Sequence, residues 1–544
     1  MKIKSMLVGM LACTAMVSCT NDDVLENNDL IQAGEKSYVA VNIVAPNATQ
    51  GRSAFEHGTT GEVNVNDAVF LFLDGDYKGC ANPYYLTQKN LQWQGILNNE
   101  GLDQKANVLL VEGVKKGEVP AYIVAILNPV GGANHGFTAA TTLDELKQIS
   151  ATYTAYSNNN FVMTNAAYKE AVTNKEMIAT PITLDDIKHT KAEAEQAPVT
   201  IQVERVVGKV IVDGLTAAIN ELNETGLTDR IDDKDNQGET ADMELEFVLT
   251  GWNVLQNNVT NLFKNINATG WSIPNWNAPS LMRSWWAQDN ESEGRTIYNV
   301  NDASKLTNTA YKYVEETVNQ TAVKKDAMNK QNPYLLVAGY FQDKATNQPV
   351  DLVEWRGQKY TKDGYLNLVA GMANVSKYYT AVTENGVTTY TSFTADLLKL
   401  KDNKENDWGA TAVLKDENTQ FYTVKFLADG VTVDKENVQT ASIGDVKAAI
   451  ADFGEVQYWN GGNTYYWVPI MHQASTNDTN YYGVVRNHVY KMNISKISGY
   501  GTPVSEPTQG IDEPEKPTDS ETYLAAEVVI LDWKVVENND VELN

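Results

Sequence analysis

Short runs of alternating apolar and polar residues recur along the chain and predict β-strands. In residues 38–45 the side chains of Val39, Val41 and Ile43 fall on one face, as a half-buried strand requires. Pro46 ends this run, and a second run covers residues 63–73 before Asp74-Gly75. Similar runs occupy residues 121–127, 199–206, 209–212, 244–250, 335–341, 420–427 and 489–497.

Helical patterns are few. Thr142 followed by Glu145 three positions later has the form of a capping box and predicts the start of a short helix. The fold class predicted from the pattern is therefore mainly β, with short helical insertions.

Two changes in composition divide the chain. The polar, charged stretch 183–197 separates two strand-rich regions and predicts a domain boundary near residue 200. Residues 502–522 contain four of the 15 prolines and are rich in acids, which is typical of an extended linker.

Beyond this linker, residues 523–537 again predict a strand. Val529, Leu531, Trp533 and Val535 lie on one face of it. An unpaired apolar strand is an aggregation hazard, so we expect it either to return to its own sheet or to insert into the sheet of another molecule.

Composition excludes several classes of function. The chain has 544 residues and a formal charge of −27, which repels phosphate backbones, so nucleic acid is not an expected partner. Five His and three Cys are scattered without ligand spacing, so we predict no metal site, no disulfide framework and no cofactor.

The amino terminus predicts export. Lys2 and Lys4 precede an apolar run over residues 6–17 that is too short for a permanent membrane span. The following Ser18-Cys19 resembles a bacterial lipobox, which predicts a signal peptide over residues 1–18 and lipidation of Cys19. The alternative is an ordinary secretory signal followed by a chance cysteine.

Signs of enzymatic chemistry are weak. No nucleophile elbow, phosphate-binding loop, dinucleotide fingerprint or zinc-protease motif occurs, and we do not expect an enzyme. The acidic stretch from Asp233 to Glu244 nearly has calcium-loop spacing, but Gln237 and the strand predicted at Glu244 favour a surface loop. Two aromatic groups, Trp285-Trp286 and residues 465–467, are candidates for sugar stacking, although strand aromatics are more often buried.

Arg52 has an unusual setting. It is one of seven arginines and lies between Gly51 and Ser53, in a small, polar segment of the kind where proteolytic cleavage concentrates. A cut after Arg52 would release the first strand together with the lipid anchor. The alternative is an ordinary surface arginine.

Several stretches carry a family resemblance. Residues 122–129, 161–165, 203–210 and especially 482–490 resemble the Mfa-type (FimA/Mfa-like) fimbrillins of Bacteroidales, which build type V pili. Residues 461–472 and 531–543 fit the same family.

The resemblance implies two transthyretin-like β-sandwich domains, over residues 53–200 and 201–501, and a pilus shaft built by strand exchange. The implied precursor is a lipoprotein of the outer membrane with a propeptide over residues 19–52, cut between Arg52 and Ser53 by an Arg-specific protease. Loss of the first strand opens a groove, and residues 523–544 of the next subunit fill it.

The implied partners are other copies of the chain in a head-to-tail polymer, the protease, and accessory anchor and tip subunits. The implied location is a cell-surface fimbria that supports adhesion and biofilm formation. An anchor or tip subunit and a surface glycan-binding lipoprotein remain alternatives.

Overall fold

The fold is described from a computed structural model. It describes residues 37–44, 62, 65–87, 96–98, 101–103, 107–112, 114, 118–130, 136–157, 161–169, 176–227, 231, 243–266, 287–289, 294–324, 327, 329–403, 408–474, 478–508, 510–511 and 523–532. Throughout these ranges the structure is mainly β, as predicted. None of the helices in these ranges is long and apolar enough to cross a membrane.

The first part of the chain contains 13 described strands, ten of which form one large sheet. The 13 strands are β1 Ser37–Val44, β2 Asp67–Leu73, β3 Tyr84–Thr87, β4 Ile96–Asn98, β5 Gly101–Asp103, β6 Asn107–Val111, β7 Tyr122–Leu127, β8 Ser150–Ala151, β9 Met163–Asn165, β10 Tyr168–Lys169, β11 Glu176–Met177, β12 Thr180–Pro181 and β13 Val199–Arg205. The order is β3-β2-β7-β9-β13-β1-β5-β4, with β12 on β7 and β6 on β1, while β10 pairs with β11 and β8 lies outside this sheet.

Three short helices accompany this sheet: α1 Leu143–Lys147, α2 Tyr153–Ser157 and α3 Lys191–Ala194. The helix predicted at Thr142 is α1. The Thr142 hydroxyl accepts a hydrogen bond from the Glu145 amide (3.2 Å), and the Glu145 carboxylate accepts one from the Thr142 amide (2.9 Å). Val39, Val41, Phe70 and Ile126 belong to the hydrophobic core of this region.

The next segment contributes β14 Gly208–Asp213, α4 Leu215–Glu221, β15 Leu245–Leu255, β16 Thr260–Asn261, β17 Tyr311–Val314, β18 Thr317–Val318, β19 Val323–Lys324, β20 Tyr334–Asp343 and β21 Gln348–Pro349. It is completed from the far end of the chain by β31 Asn463–Pro469, β32 Met471–Ala474, β33 Thr479–Val484, β34 His488–Ser498, β35 Thr502–Pro503 and β36 Tyr523–Asp532. These strands form a sheet of mostly short strands, β18-β33-β19 with β32 on β33, and β16 pairs with β8. The two main sheets are β17-β14-β34-β36 and β15-β20-β31-β35, the latter with β21 on β20.

These two sheets form a β-sandwich. Val210 and Tyr490 from the first sheet and Phe247 and Val337 from the second belong to one hydrophobic core. Interdigitation of apolar side chains between two faces is the usual basis of such a sandwich.

A third core lies between β21 and β31. Its elements are β22 Leu352–Trp355, β23 Gln358–Thr361, α5 Lys362–Gly371, α6 Ala373–Ser376, β24 Tyr378–Glu384, β25 Val387–Ser392, β26 Leu398–Asp402, β27 Gly409–Leu414, β28 Phe421–Thr423, β29 Gln439–Ala441, α7 Ile443–Ala451 and β30 Glu455–Trp459. They form the sheets β23-β22-β30-β27-β26 and β25-β24-β28-β29, and all core residues between them lie within residues 353–458. We call residues 352–459 the inserted unit.

The range predicted as one C-terminal domain, 201–501, thus contains the core of the sandwich, the separate core of the inserted unit and smaller clusters beside them. The division of the chain into domains remains a prediction. One predicted strand is wrong in extent: the run 420–427 forms a strand only over Phe421–Thr423. The chain then turns, because the Asp429 carboxylate accepts hydrogen bonds from the amides of Val431 and Thr432, and Gly430 adopts a φ of 72°.

Candidate functional site: the first and last strands

The first strand lies inside a sheet. On one side β1 pairs in parallel with β13, from Val41 opposite Val199 to Val44 opposite Gln202. On the other side it pairs antiparallel with β6, from Ser37 opposite Val111 to Val41 opposite Asn107. A strand that begins the described part of the chain therefore has a backbone partner on each side.

The side chains of β1 are part of the core. Val39, Ala40 and Val41 each have 0% exposure, and Val39 and Val41 contact the core as the alternation predicts. The backbone of Ile43 is opposite Ile201, whereas its side chain lies outside the described residues. Removal of β1 would open an apolar slot and leave backbone groups of β13 and β6 without partners, which is costly unless another strand replaces it.

Glu62 is the nearest described residue after β1. The predicted cleavage site, Arg52 and Ser53, and the predicted lipidation site, Cys19, lie outside the described residues. Glu62 is fully buried, which is rare for a carboxylate without charged or polar partners. Its contacts therefore show how the chain is anchored on the carboxyl-terminal side of the predicted cleavage site.

Three side chains hold Glu62. Lys209 Nζ donates to Glu62 Oε1 at 3.0 Å, and the Tyr313 hydroxyl donates to the same oxygen. Arg205 Nε donates to the Glu62 carbonyl oxygen at 2.7 Å. Burial, followed by the hydrogen bond and charge of Glu62, raises the pKa of Tyr313, so this phenol stays protonated as a donor.

A second buried pair lies close in the chain to these partners. Arg486 Nε donates to Glu316 Oε2 at 2.9 Å, and the side chains are 0% and 2% exposed. The other Arg486 nitrogens donate to the carbonyl oxygens of Leu262 (3.1 Å) and Asn261 (2.7 Å). Asn487 Oδ1 accepts from an Arg205 guanidinium nitrogen at 3.2 Å.

We call Glu62, Arg205, Lys209, Glu316 and Arg486 the buried ionic cluster. It joins residues of the first sheet to residues of the sandwich. In the sequence, Arg205, Lys209 and Arg486 drew attention only because they lie in stretches 203–210 and 482–490, which carry the family resemblance; no ionic role was predicted for them. Their role was missed because each pair joins residues far apart in the chain.

The last strand lies at the edge of a sheet. β36 pairs antiparallel with β34, so that Val529 is opposite Lys491 and Leu531 is opposite Val489, with a bulge between Ile494 and Lys496. Of the two outcomes expected for the terminal strand, the structure has the return to its own sheet. The β36 side chains, and the predicted donor residues Trp533 and Val535 altogether, lie outside the described residues.

The other candidates from the sequence have different outcomes. Tyr465 and Tyr466 are 1% and 2% exposed in strand β31, so they are buried strand aromatics, as the sequence favoured, and the sugar-stacking alternative is excluded for them. The pair Trp285-Trp286 and most of the acidic loop, residues 232–242, lie outside the described residues. Within the described ranges no group of three His, Cys, Asp or Glu is placed to hold a metal ion.

The chain is similar to known proteins chiefly at its C-terminal end. Residues 457–539 match the family model described as "Major fimbrial subunit protein type IV, Fimbrillin, C-terminal". This segment contains β31 to β36, and with them Arg486 and the last strand. No curated protein matches the chain.

Solved structures are similar at low identity. One is a provisionally assigned cell adhesion protein from Parabacteroides distasonis, with 12% identity and a TM-score of 0.37 over 92% of this chain and 98% of that chain. Another is the tip fimbrial protein Mfa3 from Porphyromonas gingivalis with C-terminal truncation, with 11% identity and a TM-score of 0.32 over 92% of this chain and 100% of that chain. Because these TM-scores are low, the similarity does not assign the fold, which follows from the sheets of this chain alone.

The family match is to a structural subunit, in agreement with the expectation that the chain is not an enzyme. It covers the sequence stretches 461–472 and 482–490 and most of 531–543, whereas the other stretches that carry the resemblance, 122–129, 161–165 and 203–210, lie outside it. The predicted resemblance to the fimbrillin family is thereby confirmed, on the evidence of residues 457–539.

Proposed function

We propose that this chain is a shaft subunit of a cell-surface fimbria that polymerises by exchange of its first strand for the last strand of a neighbour. The family match supports the coarser part of this proposal, a fimbrial subunit at the cell surface. In the precursor, Cys19 carries the lipid that holds the chain at the outer membrane. An Arg-specific protease cuts between Arg52 and Ser53.

The observation that carries the proposal is the position of β1. It lies between β13 and β6, and Val39, Ala40 and Val41 are fully buried. The covalent link from β1 to the later strands passes through Arg52. A cut after Arg52 therefore leaves β1 held by non-covalent contacts alone. Each apolar side chain that a replacement strand buries contributes about 1.5–3 kcal/mol, in addition to the restored backbone hydrogen bonds.

The position of β36 supports its role as the donor. A strand at the edge of a sheet has one neighbour, so it can leave without separating two other strands. The linker predicted over residues 502–522 is wrong in its first half, because β35 pairs with β31 and Val504 and Ile511 are buried in a hydrophobic cluster. Residues 512–522 remain as the segment that would extend away from the sandwich. Val529, Leu531, Trp533 and Val535 of the next subunit would then occupy the slot left by Val39, Val41 and Ile43.

Such a joint is head-to-tail and does not close on itself, so it produces a filament. Accessory anchor and tip subunits would end the filament, and the polymer would support adhesion and biofilm formation. A chain that carries a donor strand suits the shaft better than the tip, because a tip has no further neighbour to fill.

The test uses a soluble chain that starts at residue 20 and an Arg-specific protease. We expect a new amino terminus at Ser53 and a ladder of oligomers that resists dissociation by detergent. Arg52→Lys should block both, whereas Arg230→Lys serves as the matched control and should change neither. A chain that ends at residue 522 should be cut but remain monomeric.

A peptide of residues 523–544 provides a second readout. It should bind the cut, truncated chain and not the uncut one. Cleavage at Ser53 without oligomers from the full-length chain would refute strand exchange. Oligomers formed equally well by the chain that ends at residue 522 would refute the role of the last strand.

A further inference from the structure

The inserted unit is an addition to the sandwich. Leu352 and Trp459 are opposite each other in the pair of β22 and β30 and belong to the core of the sandwich. The chain between them forms its own core. Nearly all of this unit lies before the segment that matches the fimbrillin model, which begins at residue 457.

One sheet of the inserted unit, β25-β24-β28-β29, has two different faces. Tyr378 and Phe421 on the first face are buried in the core of the unit. Opposed residues of an antiparallel pair share a face, so the register places Tyr379 with Tyr422, and Ala381 with Tyr390, on the second face.

The second face carries a group of aromatic rings outside the core. The rings of Tyr390 and Tyr422 are 5.6 Å apart, and those of Tyr379 and Phe426 are 6.1 Å apart. The Phe426 side chain, from the turn after β28, is 44% exposed. We call Tyr379, Tyr390, Tyr422 and Phe426 the aromatic face.

None of these four residues contributes to a hydrophobic core of the described part of the chain. Tyr379, Tyr390 and Tyr422 are half-buried and Phe426 is exposed, so the four rings form an aromatic patch that solvent reaches. Such a patch outside any core indicates a binding surface.

The polar groups of this face are hydroxyls. Within the described residues, the phenol oxygens of Tyr379, Tyr390 and Tyr422 have no hydrogen-bond partner. At the end of the same face the hydroxyls of Thr383 and Thr388 are 2.9 Å apart. A phenol can both donate and accept, so the face offers free hydrogen-bonding capacity next to flat apolar rings.

The face is also uncharged, in a chain whose formal charge is −27. The hairpin of β24 and β25 contains one charged residue, Glu384, which the register places on the opposite face. The four strands of this sheet contain no lysine or arginine, so they offer no cation to an anionic ligand in the negative field of the chain, whereas a neutral ligand needs none.

We propose that the aromatic face binds neutral glycans. The apolar C–H faces of sugar rings stack on flat aromatic rings, and the sugar hydroxyls match the free phenols and threonine hydroxyls. Leu427 and Val431, which are exposed apolar side chains, lie in the turn beside Phe426, whereas the strands around the tyrosine rings carry hydroxyl-bearing side chains, which suit a sugar better than a peptide. The site adds a binding activity to the proposed shaft role and does not depend on strand exchange.

The experiment measures binding of the intact chain, residues 20–544, to an array of oligosaccharides. The array contains neutral glucose-, mannose-, galactose- and N-acetylglucosamine-terminated members and their sialylated or sulfated counterparts. We expect binding to neutral members and weaker binding to the anionic counterparts. Binding to no glycan, or to anionic members alone, would overturn the proposal.

Variants locate the site. Tyr390→Ala and Tyr422→Ala should each weaken binding to the best neutral glycan by about tenfold, the loss expected for one stacked ring. Tyr390→Phe retains the ring and should weaken binding less. Thr389→Ala, on the opposite face of the same strand, is the control and should have no effect.

Thermal unfolding of each variant would verify that it is folded, and Tyr390→Phe keeps the test valid if an alanine variant is not. Unchanged glycan binding by folded Tyr390→Ala and Tyr422→Ala would overturn the assignment. So would binding to an unglycosylated peptide that the same variants abolish, since that would identify a protein ligand.

Discussion

The Glu62 carboxylate has no exposure to solvent and lies 3.0 Å from Lys209 Nζ. We expect Glu62→Gln to lower the free energy of unfolding by about 3–5 kcal/mol, because it leaves the Lys209 ammonium buried without a counter-charge. Urea unfolding of the variant and the parent chain measures the difference.

The control for this prediction is the exposed pair of Glu417 and Lys447, whose side chains are 74% and 44% exposed. Glu417→Gln should leave the free energy of unfolding nearly unchanged, since solvent screens the pair. Combining Glu62→Gln with Lys209→Met should recover part of the loss. A Glu62→Gln effect no larger than that of Glu417→Gln would contradict the importance of the buried ionic cluster.

Lys312 predicts a dependence of stability on pH. Burial lowers its pKa from 10.5 to about 8, although Glu315 opposes the shift, and Nζ donates to Asn253 Oδ1 at 2.6 Å. Between these two pKa values the unfolded chain holds the proton more often than the folded chain does. The free energy of unfolding contributed by this group therefore rises with pH across that window and is constant below it.

Lys312→Met removes this contribution. Urea unfolding at several pH values should find that the parent chain gains stability relative to Lys312→Met as the pH rises from about 8 towards 10.5. Lys447→Met, at an exposed lysine, is the control and should follow the parent. A constant difference between parent and Lys312→Met over this range would contradict the lowered pKa.

Sequence reasoning at this scale succeeds where the signal is local. The alternation over residues 38–45 predicted that Val39 and Val41 share a buried face, since each strand position points opposite to the next. The pair of Lys209 and Glu62 spans 147 positions, and no local period records such a contact. The aromatic face also depends on register, because Tyr390 and Tyr422 meet only through β24, which lies between their strands.

At the scale of elements, most of the strands that the sequence predicted lie close to their observed bounds, although many of the shorter observed strands were not predicted. The run 489–497 is β34, His488–Ser498, and the run 244–250 continues past Gly251 to Leu255. Gly251 has a φ of 157° at a register shift, so the strand continues through a bulge at a residue that tolerates it. The inserted unit was not recognised, because nothing in its local pattern distinguishes strands of a third core from strands of the sandwich.

The inserted unit should be removable. Because Leu352 and Trp459 are opposite residues of one antiparallel pair, a two-residue Asn-Gly turn can replace residues 353–458. We expect the shortened chain to unfold cooperatively in urea and to form the same cleavage-dependent ladder as the full chain. It should lose binding to neutral glycans.

The matched control for this deletion is the full-length chain with Tyr390→Ala. It should polymerise normally and should also bind glycans weakly. Failure of the shortened chain to fold, together with normal folding of Tyr390→Ala, would indicate that the sandwich depends on the inserted unit for its stability.

At the scale of the whole molecule, the charge of −27 opposes association of identical subunits. Strand exchange brings two such subunits into contact, so the approach of the subunits is opposed by this long-range repulsion. Salt screens it, since the Debye length falls from about 30 Å at 0.01 M to about 8 Å at 0.15 M. The encounter of cut subunits should therefore be faster at the higher ionic strength.

We expect the initial rate of ladder formation after cleavage to rise with salt concentration over this range. The rate of cleavage at Arg52 is measured separately, from the appearance of Ser53 as the amino terminus. Sodium chloride and potassium chloride should act alike, because screening depends on ionic strength and not on the identity of the ion. A rate of polymerisation that is independent of salt would mean that release of β1, a step within one subunit, limits assembly. A rate that falls with salt would mean that complementary charges on the two meeting surfaces outweigh the repulsion between the net charges.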